Sequence, residues 1–486
     1  MLADLPIGRI SLESVTLLGA IVALFAVLGV VSALRAVMTA RTPQGSIAWV
    51  GALLTIPIVS VPLYWIFGRA RFHGYVDVRR DHDRGVGKLI GDVTPIISEF
   101  VVDIPPHFGE GRALTALANL PYTRGNDTKL LIDGEETFDA IFDIIDTAES
   151  YILSQFFIVN DDDLGRRYKE RLIARARDGV RVFFLYDEIG SHKMTRRYLA
   201  DLREGGVEVT GMNTTRGLTN RFQINFRNHR KIVLADARHA VVGGLNVGDE
   251  YLGLHPTLTP WRDTAILVEG PEALAIQLSF VEDWYWARRE VPELTWKPRA
   301  STNGDRVVFV LPSGPADEFE TCGLFFRHAI NTAKERVWIA TPYFVPDEGT
   351  LGALELAAMR GVDIRILIPG LPDKPFIKLA AMSYVTEMAR AGVSMYEYGE
   401  GFLHQKVMLV DDRATSIGTA NFDNRSFRLN FELSVITVDE AFGAEVEAML
   451  EADFARSTLI RAEDVESRSI VHKVGRRVAR LFSPIL

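Results

Sequence analysis

Two long apolar runs occupy the beginning of the chain. Residues 15–34 read VTLLGAIVALFAVLGVVSAL without a charge, and residues 47–67 read IAWVGALLTIPIVSVPLYWIF. A helix of roughly twenty apolar residues matches the hydrocarbon thickness of a bilayer, so we predict a transmembrane helical hairpin within residues 1–70. Pro57 and Pro62 leave a kinked or re-entrant second segment open. A cleaved signal peptide is the rival interpretation, but the first run is long and a second run follows it.

Basic residues indicate how this hairpin is oriented. Arg35 and Arg41 lie between the two runs, whereas five arginines follow the second run: Arg69, Arg71, Arg79, Arg80 and Arg84. Because basic residues collect on the cytoplasmic side of membrane proteins, we predict a multi-pass protein of the inner, cytoplasmic membrane whose large carboxy-terminal part faces the cytoplasm. The terminal HKVGRRVARLFSPIL is a basic amphipathic pattern, which suits either an anionic membrane surface or packing on the protein's own domain.

The remaining chain contains one pattern of elements twice. AIFDIIDTAESYILSQFFIVNDD from Ala140 resembles LFFRHAINTAKERVWIATPYFVPDE from Leu324, and in each a helical stretch precedes a β-branched and aromatic run. A further helix and strand follow, ending in DGVRVFFLYDE from Asp178 and RGVDIRILIPG from Arg360. The alternation predicts an α/β fold with helix-covered sheets, one sheet per repeat.

The polar stretch RASTNGDR at residues 299–306 separates the two patterns. We therefore predict a first repeat at residues 116–300 and a second at residues 301–486, with the basic tail at its end. Residues 71–115 form a connector to which the sequence assigns no structure.

Composition narrows the classes of function. The chain of 486 residues has a net charge of −9 and a pI near 5.7, which argues against a general nucleic-acid binder, since phosphate contacts require a basic surface. The single cysteine, Cys322, has no intrachain partner for a disulfide, and we interpret it as a buried structural residue.

Each repeat contains a His-x-Lys-x4-Asp motif, followed at one spacing by Gly-x-x-Asn. The candidate catalytic residues are His229, Lys231 and Asp236 in the first repeat and His404, Lys406 and Asp411 in the second. Alternate side chains of a strand share a face, so each histidine and lysine should face one site. The motif aspartate has an odd offset, and for it we favour a structural anchor. Two copies at corresponding places are stronger evidence than one, although strand-edge lysines are the structural alternative.

Two asparagines and two carboxylates complete the candidate site. Asn246 and Asn421 end the Gly-x-x-Asn elements, and turn residues are their structural alternative. Asp263 in WRDTAILV and Glu432 in NFELSVIT open alternating strands at equivalent positions downstream. Because an imidazole that transfers protons needs an acceptor on its other nitrogen, we predict that these carboxylates orient the histidines. Plain strand-end carboxylates are the alternative.

These regions are similar to those of a known superfamily. FRNHRKIVLADARHAVVGGLNVGDEY from Phe226 and FLHQKVMLVDDRATSIGTANFDNRSFRLNFE from Phe402 resemble the two signature regions of the phospholipase D superfamily. The membrane segment from Arg41 and the terminal RLFSPIL resemble the bacterial cardiolipin synthases within it, so the resemblance covers nearly the whole chain. Ala235 and Gln405 depart from the pattern, at variable positions of the motifs.

The resemblance implies a two-step transfer without a metal or other cofactor. One histidine attacks phosphorus, and the other protonates the departing alkoxide and then activates the incoming hydroxyl. By analogy with the family His229 is the nucleophile and His404 the acid and base, although the symmetry of the repeats does not choose between them. The motif lysines, with Asn246 and Asn421, would hold the phosphate oxygens.

The reaction implied by the resemblance joins two phosphatidylglycerol molecules of the bilayer into cardiolipin and glycerol. A hydrolytic phospholipase D and a phosphatidyltransferase using phosphatidylethanolamine are the alternatives within the same chemistry. A membrane-tethered nuclease is opposed by the acidic charge and the apolar anchor, and no nucleic-acid partner is expected. Both motifs are intact, which opposes a non-enzymatic scaffold. The oligomeric state is not predicted.

Overall fold

The structure is a computed structural model that describes residues 12–39, 42–68, 72, 75, 95–102, 111–212 and 225–486. The chain divides into two units, residues 1–74 with 214–225 and residues 75–213 with 226–486. Most of the predicted connector lies outside the described residues. So do Arg41 and the five arginines after the second apolar run, and the predicted orientation therefore rests on the sequence.

The amino-terminal unit is helical where it is described. Its helices are α1 (Leu12–Thr39), α2 (Pro43–Thr55) and α3 (Pro57–Phe67). Among the described helices, only α1, over Thr16–Thr39, is long and apolar enough to cross a bilayer alone. The second predicted segment is not one helix, because it breaks at Ile56 before a proline that has no N–H to continue the ladder. The kinked alternative therefore describes residues 47–67, and the two-span hairpin stays a prediction.

Local contacts accommodate this break. The Ser60 hydroxyl donates to the carbonyls of Ala52 at 2.9 Å and Ile56 at 2.8 Å, which satisfies carbonyls at the end of α2. A Cβ at Gly29 would lie 2.5 Å from the Leu53 carbonyl oxygen, so only glycine lets α1 approach the break so closely. One buried apolar cluster of this unit contains Ala33, Ala36, Leu53, Val61 and Tyr64.

The larger unit contains two halves whose main strands and helices follow one another in a similar order. The first half comprises α4 (Arg112–Ala118), β1 (Thr123–Ile132), α5 (Asp133–Thr147), β2 (Tyr151–Phe156), α6 (Asp163–Arg177), β3 (Arg181–Tyr186), α7 (Arg196–Glu204), β4 (Glu208–Gly211), β5 (Arg227–Asn228), β6 (Ile232–Ala235), β7 (His239–Gly243), β8 (Trp261–Arg262), β9 (Thr264–Glu269) and α8 (Ala273–Arg288). Helices α5 and α6 each pack an apolar face on the strands and leave a charged face outside, as their periodicity predicts.

The second half repeats the main elements of this succession, and it adds short elements of its own and a carboxy-terminal extension. It comprises β10 (Arg306–Ser313), α9 (Thr321–Thr332), β11 (Arg336–Ala340), β12 (Phe344–Val345), α10 (Glu348–Met359), β13 (Asp363–Pro369), α11 (Pro375–Ala381), α12 (Val385–Ala391), β14 (Ser394–Tyr398), β15 (Phe402–Leu403), β16 (Val407–Val410), β17 (Ala414–Gly418), β18 (Phe422–Asp423), α13 (Asn424–Arg428), β19 (Asn430–Val438), α14 (Glu440–Ala455), β20 (Ser457–Leu459), α15 (Ala462–Glu466) and α16 (Ile470–Leu481). Short 3-10 helices cover Ser98–Phe100, Asp249–Leu252 and Ser483–Ile485. Cys322 is buried in α9, as predicted.

Sixteen strands of the described chain belong to one sheet, in the order β20-β14-β13-β11-β16-β17-β19-β10-β1-β9-β7-β6-β2-β3-β4, with β5 paired to β19. Read outward from the β1–β10 junction, the two halves have equivalent strand orders. The junction is antiparallel, with Thr123 opposite Val308 and Asn126 opposite Arg306. The α/β class is therefore confirmed. The two sheets expected from the repeats join into one, since β1 and β10 each pair beyond their own half.

Two-residue strands also connect the halves beside the motifs. Strand β5 pairs with the start of β19, placing Asn228 opposite Phe431, and β15 pairs with β8, placing Leu403 opposite Arg262. Each of these pairs brings the chain just before a motif histidine against the chain just before a candidate orienting carboxylate of the other half.

Candidate active site

Both motif histidines lie where a two-residue strand ends. The His229 N–H donates to the Phe431 carbonyl at 2.9 Å, and the His404 N–H donates to the Arg262 carbonyl at 2.7 Å. Each histidine and lysine occupies an extended link ahead of β6 or β16, and not the regular strand predicted from the sequence. The site is nevertheless fixed, because its backbone is bound to the opposite half.

The two carboxylates are exchanged between the halves. Nδ1 of His229 lies 3.0 Å from both carboxylate oxygens of Glu432, and Nδ1 of His404 lies 2.7 Å from Oδ2 of Asp263. The sequence identifies the two acids but does not indicate which histidine each one contacts. In the structure each of the two motif histidines is paired with the carboxylate of the other half, so neither half alone contains a complete pair.

The surroundings of the two carboxylates differ. Glu432 also accepts hydrogen bonds from Thr419 at 2.6 Å, Ser426 at 2.9 Å and Asn430 at 3.1 Å. In the first half Gly244 takes the place that Thr419 has in the second, and a Cβ there would lie 2.0 Å from Oδ1 of Asp263. No side-chain hydroxyl can therefore be provided from that position.

This difference separates the acidities of the two groups. Burial opposes ionisation of Glu432, but the interaction and hydrogen bond with His229, the charge of Lys231 and the hydrogen bond from Thr419 lower the pKa of Glu432 overall. Burial raises the pKa of Asp263 to about 6, against the opposing charge of Lys406. Glu432 is thus firmly ionised at neutral pH, whereas Asp263 lies close to its titration range.

The two motif lysines are buried beside the histidines. Lys231 Nζ donates to the His229 carbonyl at 2.7 Å, and Lys406 Nζ lies 3.0 Å from Nδ1 of His404 and donates to the His404 carbonyl. Burial lowers the pKa of Lys231 to about 7 and that of Lys406 to about 8. Each ammonium is therefore poorly solvated, and an anionic ligand would offset the cost of this burial.

The electrostatics connect all four side chains into one site. Burial lowers the pKa of His229 to about 4, with Lys406 of the other half contributing to the shift. The pKa of His404 is held well below its ordinary value by burial, by Lys406 and by Lys231 of the other half. Both imidazoles are consequently neutral at pH 7 before an anion binds between them.

The motif aspartates are not brought into this site. The Asp236 carboxylate accepts the backbone N–H groups of residues 149–151 at 2.7–2.9 Å, and Asp411 accepts those of residues 334–336 at 2.8–3.2 Å. They lie at the far ends of β6 and β16, each with φ of 54° in the left-handed region, where aspartate is tolerated. This geometry suits anchors of the chain rather than catalytic acids.

The two asparagines are buried, and their amide groups are partly engaged in hydrogen bonds. Asn246 accepts the Ile158 N–H at 3.0 Å and donates to the Tyr251 hydroxyl at 2.7 Å. Asn421 donates to Asp423 at 3.3 Å, and its buried Oδ1 has no hydrogen-bond partner among the described residues. Each amide nitrogen keeps a second hydrogen, and phosphate binding by both asparagines stays a prediction.

The residues between the motif histidine and lysine point away from the site. Arg230 contacts Asp283 of α8 at 2.8 Å, and the Gln405 amide donates to Asp453 of α14 at 2.6 Å. Position 405 varies in the superfamily resemblance, yet here it is a buried structural link. The signal for this link in the sequence is an acid that follows each orienting carboxylate at nearly the same distance, Asp283 after Asp263 and Asp453 after Glu432.

Several further side chains line the site without any motif to mark them. The rings of Phe157 and His229 are 4.9 Å apart, and those of Trp261 and His404 are 5.4 Å apart. The Tyr343 hydroxyl donates to Asp373 at 2.6 Å. In the described part of the chain, no three His, Cys, Asp or Glu side chains gather as a metal site would require.

Comparisons with known proteins agree with this geometry. A family model described as "Cardiolipin synthase, PLD-like domain" matches residues 326–454, and one described as "Phospholipase_D-nuclease N-terminal" matches residues 21–69. Cardiolipin synthase A of Pseudomonas aeruginosa (strain LESB58) is 48% identical over 479 residues, covering 98% of each chain. Cardiolipin synthase A of Pseudomonas entomophila (strain L48) is 47% identical over 471 residues, covering 96% of this chain and 98% of that one.

A solved structure shares the fold. The phosphatidylserine synthase of Haemophilus influenzae Rd KW20 superposes with a TM-score of 0.54 at 16% identity, covering 77% of this chain and 99% of the other. At this identity the likeness concerns the fold alone.

The anchoring geometry of Asp411 leads to a test of stability. Asp411→Ala removes the acceptor of three backbone N–H groups and puts alanine in a left-handed conformation, so we expect it to lower the free energy of unfolding by about 1–3 kcal/mol. Asp411→Asn keeps an amide oxygen and should cost less. The measurement is the thermal unfolding of the purified full-length protein, with the exposed neighbour Asp412→Ala as control. Full stability of Asp411→Ala with complete loss of activity would instead place Asp411 in the chemistry.

Proposed function

Because the chain belongs to the cardiolipin synthase family of the phospholipase D superfamily, we propose that it transfers a phosphatidyl group between two phosphatidylglycerol molecules, giving cardiolipin and glycerol. The observation that carries the proposal is the pair of histidine–carboxylate contacts exchanged between the halves, around two buried lysines. This arrangement provides a nucleophile, an acid and a cationic site for one phosphate.

The first step forms a covalent intermediate. Nδ1 of each histidine is held by a carboxylate, which leaves Nε2 for chemistry at phosphorus. Nε2 of His229 attacks the phosphorus of the donor, the bond from phosphorus to the glycerol headgroup oxygen breaks, and His404 gives its proton to that oxygen. Phosphatidyl-His229 and free glycerol result.

The second step reverses these roles. The headgroup hydroxyl of a second phosphatidylglycerol gives its proton to His404 and attacks phosphorus, and the bond between phosphorus and His229 breaks. The products are cardiolipin and neutral His229. Lys231 and Lys406 balance the negative charge on the non-bridging oxygens, with Asn246 and Asn421 as additional donors.

The unequal carboxylates support His229 as the nucleophile. A histidine bonded to phosphorus carries positive charge, which the ionised and multiply hydrogen-bonded Glu432 would stabilise throughout. His404 must gain and lose a proton in each cycle, which suits a partner with a pKa of about 6, Asp263. A phosphodiester anion between the rings would also raise the pKa of His404, so that it can enter the reaction protonated.

The membrane anchor fits a lipid substrate. Helix α1 has the length and apolarity of a membrane span, and phospholipid substrates follow from membership of the family. We extend this to a multi-pass anchor in the inner membrane, with α2 and α3 forming its second segment and the catalytic unit in the cytoplasm.

Product analysis tests the proposed reaction. The purified full-length protein, given vesicles of labelled phosphatidylglycerol, should form labelled cardiolipin and release glycerol, as followed by mass spectrometry. His229→Ala and His404→Ala should each reduce the rate by at least about 10³-fold, since neither step proceeds without both groups. Phosphatidic acid as the product would indicate a hydrolase, and cardiolipin formed only with added phosphatidylethanolamine would indicate that lipid as donor. Cardiolipin formation by either histidine variant would overturn the shared site.

The buried lysines predict an alkaline limit to activity. A lysine with a pKa of about 7 or 8 loses its charge as the pH rises through that value, so kcat/KM should fall above about pH 7–8 while folding is unchanged. Anionic substrate stabilises the ammonium form, and the limit for kcat should therefore lie at higher pH. Glu432 opposes the shift of Lys231, and Glu432→Gln should move the limit of kcat/KM to lower pH. A kcat/KM that rises steadily to pH 9 would contradict the role of the lysines.

Labelling of introduced cysteines tests the proposed topology. The native Cys322 is buried, so Thr42→Cys between α1 and α2 and Glu149→Cys on the catalytic unit can be compared in whole cells. A membrane-impermeant maleimide should label residue 42 from outside the inner membrane and residue 149 only after that membrane is opened. Labelling in the opposite sense would reverse the orientation.

A further inference from the structure

The carboxy-terminal helix α16 is packed with a polar and small-residue face inward. Arg476 and Ala479 are its buried residues, and the Arg476 guanidinium donates to the carbonyls of Met382 at 3.2 Å and Val465 at 3.1 Å. The large apolar residues of the helix and of the residue after it are exposed by 43% to 77%: Ile470, Val471, Val474, Val478, Leu481 and Phe482. The helix thus presents to its surroundings the side that a soluble domain would bury.

This exposed side forms a continuous stripe. Val471, Val474, Val478 and Leu481 follow the spacing of one helix face. Phe482 extends it, with its ring 5.6 Å from the half-exposed ring of Phe376 on α11. Apolar patches of this kind on a folded unit indicate an interaction surface.

A groove of about 860 Å³ lies beside α16, between α11, β20 and α15. Its apolar lining includes Leu379, Met382, Leu459 and Val465, its polar lining includes Lys378, Glu397, Asp464 and Arg468, and α16 contributes His472. Leu371 lies in the loop just before α11, and its side chain is exposed. The stripe on α16 and this groove are hereafter the α11–α16 surface.

Basic residues border the α11–α16 surface on its other side. A second groove, of about 920 Å³, is lined by Arg390, Lys473, Arg476, Arg477 and Arg480 together with three glutamates. Arg476 is buried, and Arg480 and Arg390 pair with Glu387 and Glu466, so Lys473 and Arg477 are the main cations of the outward side. The chain as a whole has a net charge of −9. A cationic stripe beside an apolar one, on a protein that is acidic overall, is the pattern of a helix that lies in an anionic membrane surface.

The α11–α16 surface lies at the same edge of the sheet as the active site. The end of β11 pairs with the start of β16, directly after Lys406, and β13 runs parallel to β11 and ends at that edge. Helix α11 begins in the loop after β13, two residues beyond Asp373, whose charge acts on both His404 and Lys406. Docking of this surface on an apolar partner would therefore place the active-site edge of the sheet next to that partner.

We propose that the α11–α16 surface docks on a bilayer that carries anionic phospholipid, with α16 lying in the interface and its basic stripe among the headgroups. This is a second membrane contact, separate from the amino-terminal helices, and its choice of a lipid partner rests on the proposed function. It holds the active-site edge against the layer from which the substrate is taken.

Fluorescence in single-protein nanodiscs tests the proposal with the full chain. Val474→Cys, and separately Leu481→Cys, is labelled with an environment-sensitive fluorophore, since the native cysteine is buried. The matched control is Glu335→Cys, an exposed position at the opposite edge of the same half. In nanodiscs of phosphatidylglycerol and phosphatidylcholine, spin-labelled lipid should quench the probes at 474 and 481 but not at 335.

The basic stripe and the reaction give independent readouts. Lys473→Gln with Arg477→Gln should weaken docking by about tenfold, seen as lost quenching at 474, and phosphatidylcholine alone should have a similar effect. A probe at 474 that stays in water, or that is shielded without being quenched by the lipid label, overturns the proposal; shielding without quenching would indicate a protein partner such as a second copy. Cardiolipin formation is measured on the same nanodiscs, so docking without cardiolipin would refute the proposed function and leave the docking surface standing.

Discussion

The exchange of carboxylates between the two halves is the interaction on which the site depends. Glu432 and Asp263 each hold the histidine of the opposite half, and the two-residue strands beside them give the backbone the same crossed pairing. A histidine buried without a partner on Nδ1 would have neither a fixed orientation nor a fixed tautomer. The position of each reactive nitrogen is therefore a property of both halves together.

Burial determines what this arrangement can do. Two lysines and two imidazoles enclosed with two carboxylates are poorly solvated, so the lysines readily lose charge and the imidazoles remain neutral. An anionic phosphodiester reverses both tendencies, because its charge is compensated by the ammonium groups and by protonation of one ring. The site is thus poorly satisfied alone and well satisfied with a phosphate between the halves, which is how binding energy is directed to the reacting centre.

The features that could be predicted from the sequence are those marked by its periodicity or by its internal duplication. The alternation of helices and strands gave the α/β class, and equivalent positions gave Asp263 and Glu432 as candidates. The exchange could not be predicted, since two equivalent repeats read the same whether each acid contacts its own histidine or the other one. The contrast between Gly244 and Thr419 was visible in the sequence, but its meaning requires the distance to the buried carboxylate.

Other features could not be predicted, because the sequence was compatible with more than one arrangement. The β1–β10 junction that joins the sheets has no pattern of its own in the sequence. The break at Ile56 was one of two outcomes that the prolines allowed. The link from Gln405 to Asp453 could not be predicted, because Gln405 is at a variable position of the motif and only its burial gives it a fixed partner.

The crossed pairing also determines what the loss of part of the gene would do to the site. A chain with one copy of the motif could complete its histidine–carboxylate pairs only by meeting a second copy, and in this protein both copies are part of one translated product. Loss of either half of the coding sequence removes one histidine together with the carboxylate that holds the other, so one half alone contains no complete histidine–carboxylate pair. The duplicated reading frame therefore encodes one functional unit, although its two parts differ at equivalent positions such as Gly244 and Thr419.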